Sequence, residues 1–271
     1  MKPGVIRLLW LRRGNDVISS IVGVVLLLVT NELALPDLVA TAKKSTVRVD
    51  IEFAARQGQS PERVVKGAGV IVAPGVVATC AHLFDDLPAP AARVFVVPDD
   101  GAPELTASLE LSNDVALDLA YLKVPGLKNR PAAVASEAPR MGEEVFFIGH
   151  PFSLAPSLLG VGVVASDEMA IPTEKYVRQL RLLHASANKG NSGGGVFRRS
   201  DGRLIGMIQI KTGAVGPELR ALMKARYSKS IAVADVDPVK TLQTVVSEMD
   251  EQLNMGVAGF LSVKRISTKA R

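Results

Sequence analysis

Residues 64–82 read Val-Val-Lys-Gly-Ala-Gly-Val-Ile-Val-Ala-Pro-Gly-Val-Val-Ala-Thr-Cys-Ala-His. Two β-branched, apolar runs, 64–72 and 76–79, are divided by Pro74 and Gly75, and the second leads into a histidine. Such residues suit a pleated, half-buried surface, and short runs bounded by turn formers read as strands. The same texture recurs outward from this stretch, at 46–53, 93–97, 105–111, 119–124, 144–148, 160–165, 179–183, 196–197, 204–210 and 230–234. The spacing predicts an all-β chain. Helical periodicity is confined to 36–43, 217–227 and 238–253, the last through Val239, Leu242, Val245, Val246 and Met249. The stretch 125–139, containing Pro and Gly, divides the β part into units at 36–128 and 129–237. A basic flank with an apolar segment (1–35) precedes them, and a helix with a basic tail (238–271) follows.

Composition narrows the classes. The chain has 271 residues, enough to bury a substantial core in one large or two ordinary domains. The balance of 32 Lys and Arg against 27 Asp and Glu gives +5, much of it at the two ends, and no basic stretch is interleaved with aromatics. A nucleic-acid partner is therefore not expected. Cys80 is the only cysteine, which excludes an intrachain disulfide and a cysteine-based zinc cluster. Nor do His82, His150 and His184 show metal-ligand spacing, so no metal is expected. Residues 17–30 carry no charge and follow Arg12 and Arg13. They fall short of the roughly 20 residues that cross a bilayer core, and three readings stand: a signal-peptide core, a short or tilted anchor, and a buried helix. The basic flank favours the first two. It predicts an N-terminal apolar helix and an extracytoplasmic location, periplasmic or cell-surface, anchored by 17–30, with a soluble secreted form as the alternative.

Three segments carry chemistry. In Lys189-Gly190-Asn191-Ser192-Gly193-Gly194-Gly195, glycines surround one serine, so the backbone can turn sharply and aim the amides of Gly190 and Ser192 into one pocket. A plain glycine-rich turn is the other reading of these residues. His82 ends the β-like run 76–82, on a rigid element yet next to the loop at 85–88. Asp118 opens the apolar run 119–124, where a buried carboxylate needs hydrogen-bond partners. Asp114, in a similar local pattern, is its rival. A serine hydroxyl, a base to take its proton and an acid to orient the base form the set that nucleophilic catalysis requires.

With these motifs the sequence resembles the trypsin-like peptidases, and within them the bacterial HtrA/DegP-type branch. The matching stretches lie within 67–240 and include Thr79-Cys80-Ala81-His82, Asp118-Leu119-Ala120-Tyr121, Ile148-Gly149-His150-Pro151-Phe152 and Gly190-Asn191-Ser192-Gly193-Gly194. The resemblance implies a chymotrypsin-like fold of two six-stranded antiparallel β-barrels with the site between them. It implies His82 as base, Asp118 as orienter and Ser192 as nucleophile, with the oxyanion hole at the backbone of Gly190 and Ser192. The implied activity is that of a serine endopeptidase working through an acyl-enzyme on unfolded or exposed segments. A catalytically silent protease-fold scaffold is the alternative. No cofactor is implied. Polypeptide substrates, a membrane through the N-terminal segment and a homo-oligomer are the implied partners. Ser186, six residues before the nucleophile, would form the base of the specificity pocket, with Ile208 and Ile210 in its wall. With no acid there, small or medium apolar side chains are expected to be preferred over Arg or Lys. About thirty residues follow Pro238, too few for the PDZ domain usual in this branch. Asn191 stands where digestive relatives carry an acid that pairs with a newly cut N-terminus, so activation by such cleavage is not expected.

Overall fold

The computed structural model describes residues 33–53, 62–85, 93–112, 114–173, 176–211, 217–225, 236–252 and 256–267. The expected apolar segment 17–30 and the expected strand 230–234 lie outside them. No helix among the described residues is long and apolar enough to cross a membrane.

The first six strands are β1 (Thr46–Phe53), β2 (Glu62–Ala73), β3 (Val76–Cys80), β4 (Arg93–Pro98), β5 (Leu105–Leu111) and β6 (Leu119–Lys123). They close into a barrel in the order β1-β2-β3-β6-β5-β4, with β4 returning antiparallel to β1. The Pro74 and Gly75 turn forms as the sequence suggests: Gly75 takes φ +70, a backbone conformation glycine enters without penalty, and Val70 pairs with Ala78 across it.

The second sheet contains β7 (Glu144–Gly149), β8 (Leu158–Val164), β9 (Met169–Pro172), β10 (Val177–His184), β11 (Gly195–Arg198), β12 (Leu204–Lys211) and β13 (Val257–Ser262). Its order is β13-β12-β11-β7-β8-β10-β9, and a further pairing of β10 with β13 brings it back on itself. Six strands thus form a ring, and short β9 extends it along β10. Two strands here differ from the sequence expectation. β9 is a hairpin partner of β10 that the apolar pattern did not reveal. β13 falls within 238–271, assigned above to a helix and tail, so this sheet does not end at residue 237. The physical reason is burial: Ala258, Phe260 and Leu261 are fully enclosed once the chain returns from the preceding helix.

The expected helices form as α1 (Leu35–Lys43), α2 (Pro217–Lys224) and α3 (Pro238–Gln252), with a short α4 (Val263–Ser267) after β13. Asp237 caps α3, its Oδ1 accepting from the amides of Val239 and Lys240 at 3.0 Å each, ahead of a proline in the first turn. One core cluster spans both sheets, from Val47, Val70 and Leu122 of the first to Phe146, Phe197 and Leu204 of the second, and another, around Phe147, Val196 and Phe260, fills the second sheet. Phe146 and Phe197 stack with ring centroids 5.3 Å apart.

α4 is tied to the first barrel by Tyr121, whose hydroxyl donates to the Ile266 carbonyl at 2.7 Å. Burial disfavours the phenolate and pushes this group from 10.0 up to about 12. A raised value in the folded state stabilises the fold fully below the unfolded value, and that contribution is lost as pH rises through the folded one. Stability against urea should therefore decline between pH 10 and 12, and Tyr121→Phe should be weaker at pH 8 but flatter across that window. Parallel declines in both proteins would separate Tyr121 from the effect.

Candidate active site

His82 sits in a tight helical turn, Ala81–Phe84, directly after β3. Asp118 follows a second such turn, Val115–Leu117, and precedes β6. Because β3 and β6 are neighbours, paired at Cys80 and Leu119, the two residues meet at one barrel end. The Asp118 carboxylate takes the His82 backbone N–H on Oδ1 at 2.8 Å and lies 2.7 Å from His82 Nδ1 through Oδ2. An ionised carboxylate only accepts, so Nδ1 carries the proton and Nε2 is left as an acceptor. That Nε2 lies 3.1 Å from Ser192 Oγ.

Asp118 is 3% exposed and holds φ 48, left-handed space that few residues other than glycine enter. Its carbonyl is secured from two directions, by the Ala81 amide at 3.1 Å and by Gln209 Nε2 at 3.2 Å. Gln209 Nε2 also reaches the Leu117 carbonyl. Arg178 Nη1, from β10, lies 2.7 Å from the same Oδ2 that His82 uses. Asp114 instead accepts from the amide of Ala116 within its own loop.

The serine turn crosses to the first barrel. The Ser192 carbonyl accepts from the Ala68 amide of β2 at 2.9 Å, and the Gly193 amide donates to the Ile208 carbonyl of β12 at 2.9 Å. Two glycines are required here by close approach as well as by backbone angle. At Gly190 (φ +97) a Cβ would lie 2.1 Å from the His150 carbonyl oxygen, and at Gly193 (φ +85) a Cβ would lie 1.9 Å from that of Ala68. Among the described residues the amides of Gly190 and Ser192 take no backbone partner.

The three histidines are now distinguishable. His150 is fully buried, its Nε2 3.0 Å from Asp99 Oδ1 but misaligned for a hydrogen bond, and His184 is exposed on β10. Cys80 is buried, and desolvation followed by the nearby Asp118 charge pushes its thiol well up. Its S–H donates to the Ile208 carbonyl at 3.2 Å. Atoms of Cys80, His82 and Asp118 lie within 4.8 Å of one another, the spacing of a metal trio. The donors do not suit one: the thiol is held protonated, and the imidazole and carboxylate are already bonded to each other.

A cavity of about 510 Å³ opens over Ser192 and His82. Ile208 and Ile210 line it. Ser186 does not. Side chains along an extended segment alternate between faces: Ala185 and Ala187 point inward and Ser186 outward, where it borders two smaller cavities. Ala187 occupies the inner position instead. The far wall comes from Met223 of α2 and from Ser247 and Asp250 of α3. Arg178, Gln209, Ala187 and these helix residues carried no recognisable motif. The one local signal was a glutamine between two isoleucines in β12.

The fold and this constellation define a class, the chymotrypsin-like serine peptidases. The trypsin-like peptidase domain family matches residues 67–207, over half the chain, and the protein belongs to that family. Among relatives, a probable periplasmic serine endoprotease DegP-like of Brucella suis is 32% identical over 193 residues, covering 69% of this chain and 33% of its own length. The periplasmic serine endoprotease DegP of Salmonella typhimurium is 27% identical over 220 residues, covering 79% and 42%. The chain thus spans well under half the length of these relatives. Among solved structures, the HtrA-type protease AlgW with a decapeptide superposes with TM-score 0.60 at 17% identity, over 88% of this chain and 66% of that one. The active form of the Rv3671c protease of M. tuberculosis gives 0.55 at 20%, over 86% and 82%. At these identities the structures speak for the fold.

Gly193→Ala tests the close approach at the serine turn. The added methyl should break the Ala68 and Ser192 contact and lower stability by about 2 kcal/mol or more, read from the urea midpoint. A loss under about 0.5 kcal/mol would mean the turn relaxes freely.

Proposed function

We propose that this chain is a serine endopeptidase in which Ser192 is the nucleophile, His82 the general base and Asp118 the residue that orients and balances His82. The observation that carries the reading is the continuous relay from carboxylate to imidazole to hydroxyl, at 2.7 and 3.1 Å. With Nδ1 protonated and bonded to Asp118, Nε2 takes the Ser192 proton as Oγ attacks a substrate carbonyl. The imidazolium formed lies against a carboxylate that favours it. The oxygen of the tetrahedral intermediate is received by the amides of Gly190 and Ser192. His82 then returns its proton to the departing amine, and water, activated by the same Nε2, releases the acyl group. Besides the substrate and this water, every group the cycle uses belongs to the chain.

The primary pocket of this reading is built from Ala187, Ile208 and Ile210, which suits small or medium apolar side chains before the scissile bond. Substrates are exposed or unfolded polypeptide segments, since the catalytic residues need an extended chain in the cavity. The periplasmic relatives support an extracytoplasmic setting. A silent scaffold has no comparable support, because the hydroxyl, the base and its orienting acid are already within reach of one another.

A fluorophosphonate probe should label the wild-type protein, and Ser192→Ala should abolish labelling and cut casein turnover by roughly 10⁵-fold or more. An unlabelled wild type, or equal labelling of the variant, would falsify the assignment. In peptide-library profiling, Ile210→Ala should extend the preference towards larger apolar residues, whereas Ser186→Asp should leave it unchanged. A shift towards Arg or Lys in Ser186→Asp would return that residue to the pocket.

A further inference from the structure

Arg178 stands apart from the residues already given a role. It lies on β10 of the second barrel, yet its guanidinium reaches the acid of the first. Its side chain is 13% exposed and that of Asp118 3%, so the contact is largely withdrawn from water. Oδ2 of Asp118 therefore serves two donors, His82 Nδ1 and Arg178 Nη1, each at 2.7 Å, while Oδ1 serves the His82 amide. Charge-assisted bonds of this kind are short and strongly directional.

We propose that Arg178 is a positioning residue for the Ser192 and His82 chemistry, clamping the Asp118 carboxylate in the orientation that His82 requires. Asp118 needs such a clamp. Its backbone is held in left-handed space, so the direction of its side chain is set by what grips it rather than by local preference. Gln209 and the Ala81 amide fix the main chain, but besides His82 itself Arg178 is the side chain that bonds the carboxylate. Its bond to Asp118 uses Nη1 alone, and the buried Nε has no hydrogen-bond partner among the described residues. The reach of the guanidinium is consequently set by β10, where Arg178 is paired with Ile171 of β9. The β9–β10 hairpin is thereby joined mechanically to the acid of the opposite barrel.

Arg178 also borders the cavity over Ser192, so direct substrate contact is the rival role. The two roles differ in kinetics. A group acting through Asp118 and His82 is felt in kcat, and one holding substrate is felt in KM.

The inference rests on the proposed peptidase mechanism, and the experiment separates the two. Arg178→Met keeps most of the side-chain volume and removes the charge, and Arg178→Ala leaves room for a guanidinium ion. Arg181→Met is the control: it lies on the same strand, loses the same charge from a similarly buried side chain and bridges to exposed Asp167 rather than to Asp118. Arg178→Met should lower kcat about 10- to 100-fold with KM changed by less than about threefold, and fluorophosphonate labelling should slow in parallel. Millimolar guanidinium should restore much of the activity of Arg178→Ala, and Arg181→Met should match wild type. The inference is overturned if Arg178→Met keeps its kcat, if the loss falls on KM, or if guanidinium restores nothing while the thermal melt shows folded protein. Failure of the underlying mechanism would look different, since the wild-type protein itself would not react with the probe.

Discussion

One backbone hydrogen bond, from the Ala68 amide to the Ser192 carbonyl, ties the serine turn of the second barrel to a strand of the first. It crosses the seam at the residue that would react, so the position of Ser192 is set by a strand of the opposite barrel as well as by its own turn. The approach is so close that no side chain fits at Gly193, where a Cβ would meet both the Ala68 carbonyl and the Thr79 hydroxyl that donates to it. His82 leaves the first barrel one strand away, on the extension of β3, which pairs with β2. The 3.1 Å between imidazole and hydroxyl thus depends on sheet register, which is stiff, as well as on the two turns that carry the residues.

Electrostatics at the site follow the same cross-barrel logic. Asp118 opens a first-barrel strand, but its carbonyl is bonded by Gln209 of β12 and its carboxylate by Arg178 of β10. A carboxylate this buried would be costly without donors. Three are supplied from the two barrels, and the same arrangement leaves Nε2 of His82 as the free acceptor. Cys80, one residue from the end of this network, contributes as a neutral thiol.

Much of this was legible in the residues because the local signals agreed with the global fold. The runs at 46–53 and 105–111 form strands over those same residues, since β-branched alternation, turn glycines and burial all favour one outcome. His82, Asp118 and Ser192 were readable as candidates because each ends or begins a rigid element in a distinctive setting. What escaped had no local signature. β9 is a short, largely exposed strand that exists only because β10 offers it an edge, and β13 follows a helix where the pattern suggested a tail. Ser186 was carried over by counting back from the nucleophile, a rule that ignores which face a residue occupies, and alternation gave the inner place to Ala187. Arg178 and Gln209 meet Asp118 across 60 and 91 residues of chain, a distance no motif spans.

The late position of β13 has a consequence for how the molecule is made. Its pairing with β10 joins residues such as Arg181 and Phe260, and without it the second sheet is an open ribbon with exposed edges on β10 and β12. Contacts this far apart in sequence are slow to form, because loop closure must precede any gain from pairing. During synthesis, the first barrel can complete itself from residues up to 123, while the second must wait for β13, which ends at Ser262. A partly emerged chain would hold His82 and Asp118 on a finished scaffold while Ser192 belonged to an unclosed one. Such a topology keeps the hydroxyl of Ser192 from a settled place beside His82 until β13 has paired, so the site is assembled by folding order alone.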